Sequence, residues 1–327
     1  MQYSIVIPVY NEEESLLPLY KEIMEVIKAR DDEAEIIFVD DGSSDSSWAV
    51  IESIAEDDGR VSGIKFRRNF GKAAALDAGF QKATGKYIIT MDADLQDDPH
   101  EIPEFLDLMK DKYDVVSGWK KQRHDPWHKV FPSRVFNAMV SGLTGVSLHD
   151  HNCGMKSYVR EIFDEVRLYG ELHRFIPVLA AARGYRVGEK VIQHRARKFG
   201  SSKYGFARFI KGFLDLLTVK FITGYGQRPQ HLIGTIGLLA FGTGGLILTI
   251  LAACWLFSRI PCCGFTEPYH LSGRPAVIYS AALMLFGSQL ISIGIIAELF
   301  LSWKNRSGTE YSIEKRIGDE GRSDKRK

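Results

Sequence analysis

Two long runs without a charged residue constrain this chain most. Residues 232–257 hold none, and residues 276–297 hold none either, the second run continuing past Glu298 to Trp303. Each is longer than the roughly 20 residues an α-helix needs to cross the hydrocarbon core of a bilayer. Core helices of soluble domains are shorter and interrupted by polar positions, so both runs read as membrane spans. Trp255 and Trp303 fall near span ends, where amphipathic rings favour the interface. Basic residues set the orientation. Arg208, Lys211, Lys220 and Arg228 precede the first run and Lys304, Arg306, Lys315 and Arg316 follow the second, whereas the connecting loop has only Arg259 and Arg274. Positive-inside bias then places both termini in the cytosol and the loop outside. Met1 leads straight into an apolar strand pattern, so no signal peptide is expected.

The rest of the chain is polar enough to fold in water. Lys and Arg number 42 against 41 Asp and Glu, so no global charge invites nucleic acid. The cysteines have no zinc-type spacing. Up to residue 117 the pattern alternates: strands at 3–9, 35–40, 61–66, 87–92 and 114–117, helices at 13–29, 46–55 (with Asp45 as N-cap), 72–83 and 100–110. That rhythm predicts an α/β domain with a mostly parallel sheet between helices, binding ligands beyond the carboxyl ends of its strands. Four polar clusters follow strands: Tyr10-Asn11-Glu12, then 40–45, then 92–96, then 120–123. Further on, helices are expected at 134–143, 163–166 and 174–183 and a strand at 186–194.

Asp92-Ala93-Asp94-Leu95-Gln96 is the most chemical of these clusters. Two carboxylates one residue apart at a strand mouth are costly without a neutralising cation. Their hard oxygen atoms suit Mg2+ or Mn2+, which keeps open positions for the phosphates of a substrate. The alternative is a solvated acidic turn. Residues 195–204 carry four cations among glycine and serines, a composition suited to an anion. Residues 206–222 interleave Phe209, Phe213, Leu216, Leu217 and Phe221 with Arg208, Lys211 and Lys220, an amphipathic pattern whose place just before a span favours a membrane surface over packing on the domain itself. Gly234, Gly237, Gly242, Gly244 and Gly245 in the first span permit close helix approach, which favours helix association and a homo-oligomer.

Together these pieces resemble the family 2 glycosyltransferases, and within them the polyprenyl-phosphate glycosyltransferases, such as dolichol-phosphate mannosyltransferases and bacterial undecaprenyl-phosphate glucosyltransferases. The matching residues are Val6 to Glu12, Asp40 to Asp45, Asn69-Phe70-Gly71-Lys72, Asp92 to Gln96 with Pro99, and Arg197-x-x-Gly200-x-Ser202-Lys203-Tyr204. The resemblance implies a GT-A nucleotide-diphospho-sugar transferase fold over residues 1–204. Amphipathic interface helices (205–230), a first span (231–257), an outer loop (258–275), a second span (276–303) and a basic cytosolic tail (304–327) would follow. It implies nucleoside contacts from Pro8, Tyr10, Glu12, Val39 and Asp41. Asp92, Asp94 and Gln96 would hold the metal, with Ala93 and Lys120 also lining the donor site, and Arg197 and Lys203 would neutralise phosphate as the bond breaks. The partners implied are a UDP- or GDP-linked sugar, a polyprenyl phosphate and the membrane. Where dolichol-phosphate mannosyltransferases usually have arginine after the fifth strand, this chain has Lys120, with Arg123 three residues later; lysine cannot make arginine's two-pronged contact.

A lipid phosphomonoester is already largely ionised near neutrality, so as nucleophile it needs cations and positioning rather than a base. Lys120, Lys121, Arg123, Lys129 and Arg134 are the cations available, and Arg123 is a catalytic candidate with Asp94, Arg197 and Lys203. A sugar hydroxyl would need a base, for which Asp150 is the candidate; holding a loop is its other reading. A processive polysaccharide synthase would want more spans and a Gln-x-x-Arg-Trp segment, and the sequence has neither. A non-catalytic nucleotide-sugar-binding partner of a lipid-sugar flippase is the third class, argued against by the intact acidic and basic motifs.

Overall fold

The structure is a computed structural model that describes residues 2–121, 127–166, 168, 170, 172–193, 195, 207–225, 229–260, 270–271 and 274–304. The chain divides into two compact units, the first running to Lys220 and the second starting at Phe221.

In the first unit β1 (Tyr3–Val9), α1 (Glu13–Arg30), β2 (Ala34–Asp40), α2 (Ser47–Asp57), β3 (Val61–Lys65), α3 (Lys72–Lys82) and β4 (Tyr87–Thr90) alternate. A 3-10 turn at Pro99–Glu101 leads into α4 (Ile102–Asp111), β5 (Val115–Trp119) and α5 (Trp127–Thr144). Then come β6 (Lys156–Val159), α6 (Ile162–Glu165), a second 3-10 turn at Leu172–Phe175, α7 (Ile176–Ala182), β7 (Val187–Val191) and α8 (Ala207–Tyr225), whose last residues, from Phe221 on, belong to the second unit. The seven strands form one sheet in the order β3-β2-β1-β4-β6-β5-β7. All pairs are parallel except those of β6, which lies antiparallel to both β4 and β5. The chain builds from β1 outward to β3, then crosses to β4 on the other side of β1. That reversal opens a crevice at the carboxyl ends of β1 and β4, where open α/β sheets bind ligands.

Alternating side chains feed two cores, one on each face of the sheet. Ile5, Ile7, Ile36 and Phe38 pack against Leu16, Leu19 and Ile23 of α1, Ile51 of α2 and Phe105 and Leu106 of α4. Val6, Ile37, Val39, Ile88 and Tyr158 pack on the other face against Leu76 and Phe80 of α3 and Ile176 of α7. A third cluster joins Phe136 and Val140 of α5 to Phe175, Val178 and, from α8, Leu216 and Val219. The side of α8 opposite to it leaves Phe213, Leu214 and Leu217 exposed.

The second unit contains α9 (Pro229–Phe257) and α10 (Pro275–Lys304), both long and apolar enough to cross a membrane. At the glycines of α9 their contact brings backbone close to backbone. A Cβ at Gly237 would lie 2.8 Å from the Gly287 carbonyl oxygen, and one at Gly244 2.6 Å from that of Ser280. Gly237 and Gly244 thus serve a close approach between two helices of one chain. At the far end of α10, Glu298 accepts a hydrogen bond from the Gln230 N–H at 3.3 Å, which satisfies one open donor at the start of α9.

Several boundaries differ from the sequence expectation. β4 ends at Thr90, so Asp92 stands in the turn beyond the strand rather than at its last position. β6 was not expected at all, and the helix expected at 134–143 starts earlier, at Trp127. The expected strand at 186–194 is shorter, and 174–183 begins as a 3-10 turn. α2 begins at Ser47; Asp45 accepts from the Ser47 N–H with one oxygen and from the Glu13 N–H with the other.

Candidate active site

The acidic turn is a strained piece of backbone held by its surroundings. Leu95 has φ of 60°, a left-handed conformation that bulky residues avoid. Its side chain is buried in the sheet core, which keeps it there. The turn leaves Asp94 buried, with its Oδ1 accepting from the Gln96 N–H at 3.2 Å. The Asp92 side chain, 34% exposed, meets the ammonium of Lys72, the first residue of α3. Behind it stands Gly154: a Cβ there would lie 2.5 Å from Asp92 Oδ2 and 2.6 Å from its Cγ. Thr90 pins that glycine by donating to its carbonyl at 2.9 Å. Burial alone would push the Asp92 carboxyl up, but attraction to Lys72, and more weakly to Lys120, outweighs it and holds the pKa down, at about 2. Asp92 is therefore ionised near neutrality, as a metal or phosphate site requires. The oxygen-only donor set of Asp92, Asp94 and Gln96 fits Mg2+ or Mn2+.

The loops after β1 and β2 are stitched into one rim. The Asn11 N–H donates to Ser43 Oγ at 3.0 Å, and Asn11 Oδ1 accepts from the Ser44 N–H at 2.8 Å. The Glu12 N–H donates to Ser47 Oγ at 2.9 Å, and the Ser46 N–H to Glu13 Oε2 at 2.8 Å. Asp40, fully buried, takes the Ser43 N–H at 2.9 Å. Tyr10 stands exposed on this rim, Pro8 and Glu12 are half-buried, and Val39 is buried beneath. Asp41 turns to the neighbouring loop. Its carboxylate accepts from the Phe70 N–H at 2.6 Å and the Gly71 N–H at 2.9 Å. Burial still pushes its pKa up against those bonds. By anchoring Gly71, Asp41 fixes the start of α3 and hence where Lys72 begins.

On the β5 side the Lys120 ammonium lies 2.8 Å from a carboxylate oxygen of the fully buried Asp97. Burial would lower the lysine's pKa, and Asp97 more than reverses this, so it stays charged. Lys120 is thus tied to the segment just after the acidic turn. Trp119 stacks on His149, ring centroids 3.9 Å apart, and His149 Nδ1 meets Glu189 Oε2 at 2.7 Å. Asp150 is buried and accepts from the Asn152 N–H at 3.1 Å, the bond of a local turn.

Three groups near this rim were not singled out from the sequence as site residues. Lys72 was legible, since it closes the Asn69–Lys72 stretch at a helix start. Lys156 had no signal: it lies inside the unexpected β6, donating to the carbonyls of His151 at 3.1 Å and Cys153 at 2.7 Å. Burial lowers its pKa to about 8. His173, also buried, is kept neutral by burial first and by Lys72 next. Arg123, Arg197 and Lys203 lie outside the described residues, as does the side chain of Lys129; Arg134 is exposed on α5.

The described residues thus bring an acidic turn, the joined loops after β1 and β2, and the cations Lys72 and Lys120 to the carboxyl end of a doubly wound α/β sheet. The chain belongs to glycosyl transferase family 2, whose model matches residues 4–167. It is 34% identical to the dodecaprenyl-phosphate galacturonate synthase of Rhizobium johnstonii, over 99% of this chain and 95% of that one. It is 35% identical to the undecaprenyl-phosphate 4-deoxy-4-formamido-L-arabinose transferase of Proteus mirabilis, over 96% of this chain and 94% of that one. Among solved structures, the fold matches glucosyl-3-phosphoglycerate synthase from Mycobacterium tuberculosis in complex with Mn2+, UDP and phosphoglyceric acid. That match has a TM-score of 0.53 and 15% identity and covers 68% of this chain and 78% of the other.

Proposed function

We propose that this chain is an inverting glycosyltransferase that moves a hexose-type sugar from a UDP- or GDP-linked donor to a polyprenyl phosphate at the cytosolic membrane face. The observation that carries the reading is the ionised acidic turn at the sheet's carboxyl rim, beside the stitched loops of β1 and β2. The acceptor class rests on the near full-length similarity to two relatives that are both named for polyprenyl phosphates.

In this reading the nucleoside lies against Pro8, Tyr10, Glu12, Val39 and Asp41. Its diphosphate reaches the turn of Asp92, Ala93, Asp94 and Gln96. Bound by Asp92, Asp94 and Gln96, Mg2+ or Mn2+ would supply positive charge to the donor diphosphate. Lys120 stands on Asp97 next to that turn, and Arg123, Arg197 and Lys203 add the cations that neutralise charge on the departing nucleotide. Charge grows on that group as the bond breaks, so fixed cations favour the transition state over the ground state. A phosphate oxygen of the lipid attacks the anomeric carbon, the bond from that carbon to the donor phosphate breaks, and its electron pair leaves with the nucleotide diphosphate. The nucleophile arrives deprotonated and needs no base. Asp150, engaged in a turn rather than set at an open rim, is in keeping with a phosphate acceptor instead of a hydroxyl.

The exposed apolar side of α8 and the two apolar helices suit a protein that works at a bilayer, where its acceptor resides. Basic residues flanking both helices favour a cytosolic catalytic unit and two spans. The test is to incubate the purified chain in lipid nanodiscs with Mg2+ or Mn2+, undecaprenyl or dolichyl phosphate, and a panel of nucleotide sugars. Mass analysis should find a lipid mass increased by one glycosyl residue with one donor; a panel that yields soluble sugar products only would sink the lipid acceptor.

A further inference from the structure

The segment leaving β7 is fastened to the segment leaving the acidic turn. Arg195 makes three bonds there. Its Nη1 meets Glu22 Oε2 of α1 at 2.6 Å, its Nη2 meets Asp98 Oδ2 at 2.7 Å, and its backbone N–H donates to the Gln96 carbonyl at 3.0 Å. Two neighbours run the same way. The Gln193 N–H donates to Glu101 Oε1 at 3.2 Å, and the Lys190 ammonium contacts Glu101 and, at 3.2 Å, Glu104. Lys190, Gln193 and Arg195 thus tie one stretch of chain along residues 96–104.

We propose that Arg195 is a positioning residue: its guanidinium clamps Glu22 to Asp98 and its N–H holds Gln96, so that the turn presenting Asp94 and Gln96 is braced from α1. The metal part of this inference rests on the function proposed above. The brace has a physical task. Leu95 sits in a conformation that leucine keeps only where its surroundings enforce it, and Arg195 grips the very next carbonyl. Only a guanidinium can span two separate carboxylates with a rigid fork. The three side chains are each at most 30% exposed, so solvent screens the pairs incompletely. The same geometry explains an otherwise misleading cluster. Ligand atoms of Glu22, Asp98 and His100 lie within 4.8 Å of one another, as they would around a metal ion. Arg195 already meets Glu22 and Asp98, and His100 Nδ1 lies 2.8 Å from Asp98 Oδ1, so the cluster is accounted for by the clamp.

The test compares full-length wild type with Arg195→Gln, Arg195→Lys, Glu22→Gln and the Arg195→Gln/Glu22→Gln double variant in nanodiscs. Two readouts are needed: hydrogen exchange of peptides spanning 92–98, and equilibrium Mn2+ binding. Losing a partner that orients metal-binding groups weakens metal binding about tenfold at the low end. Arg195→Gln should do so and should speed exchange across the turn, with the thermal midpoint little changed. Arg195→Lys should recover part of the effect, and the double variant should be no worse than Arg195→Gln, because the two changes remove one shared interaction. Unchanged exchange and unchanged Mn2+ binding in Arg195→Gln would overturn the brace. Exchange that responds while Mn2+ binds neither protein would keep the brace and strike the metal assignment instead. A wild type that binds Mn2+ but forms no lipid-linked sugar would strike the proposed function alone.

Discussion

Gly154→Ala adds one methyl group and aims it at the Asp92 carboxylate, on which the proposed donor site depends. The new carbon would stand 2.5 Å from Asp92 Oδ2, 2.6 Å from Cγ and 2.9 Å from Oδ1. Ordinary contact lies near 3.5 Å, so the carboxylate must recede by about 1 Å. It has somewhere to go, because the Asp92 side chain is 34% exposed. The fold should therefore survive while the Lys72 contact and the direction of the carboxylate are lost. Misplacing a reacting group by about 1 Å costs on the order of 100-fold in rate, which is about 2.7 kcal/mol of transition-state stabilisation. The assay is the initial rate of lipid-linked sugar formation, with Gly59→Ala as control, since a Cβ at Gly59 meets nothing within 4 Å. Gly154→Ala should fall about 100-fold with Gly59→Ala near wild type. A Gly154→Ala enzyme that works as fast as the control would refute the role given to the direction of Asp92.

Other consequences are independent of that site geometry. Lys120→Met strands the fully buried Asp97 without its cation, which should cost about 3 kcal/mol of stability, read by chemical denaturation; an unaltered denaturation midpoint would mean that the pair is not buried as described. Lys156 titrates at about 8 in the folded chain against 10.5 when free. Between those values the unfolded chain binds the extra proton, so stability rises with pH: the penalty is full below pH 8 and relieved towards 10.5. The thermal midpoint of wild type minus that of Lys156→Met should grow from pH 8 to pH 10, and a flat difference would contradict it. Gly287→Leu puts a Cβ 2.5 Å from the Phe241 nitrogen and 2.6 Å from the Gly237 carbonyl oxygen. It should drive α9 and α10 apart and lower the midpoint in nanodiscs, whereas an unaffected midpoint would rule out the close helix contact.

The first half of the sheet was readable because its signals are local. β1 to β5 are short apolar runs punctuated by polar turns, and each intervening helix carries its own periodicity. β6 escaped because Lys156-Ser157-Tyr158-Val159 alternates without an apolar run, and its charged lysine is buried by tertiary contacts alone. The same divide runs through the site. Asp92 and Asp94 stand out by their spacing at a strand mouth, whereas Gln96 was marked only by the family resemblance. That Lys72 meets Asp92, that Asp41 binds the backbone of Phe70 and Gly71, and that Asp97 holds Lys120 depend on loops distant in sequence arriving at one rim. The left-handed Leu95 is equally invisible, since nothing in a leucine's chemistry asks for positive φ. In the apolar helices, glycines that permit a close helix approach read the same whether the partner is a second copy or, as Gly237 and Gly244 are used, the next helix of the same chain.

The most direct measurement is the rate at which Asp94→Asn forms lipid-linked sugar from a nucleotide sugar and undecaprenyl phosphate, with Mg2+ or Mn2+ supplied and then chelated. In the proposed function Asp94 helps to hold the cation that meets the donor diphosphate, so the variant should lose turnover and the wild type should lose it on chelation. Undiminished synthesis by Asp94→Asn, or by wild type stripped of divalent cations, would contradict the account at its root.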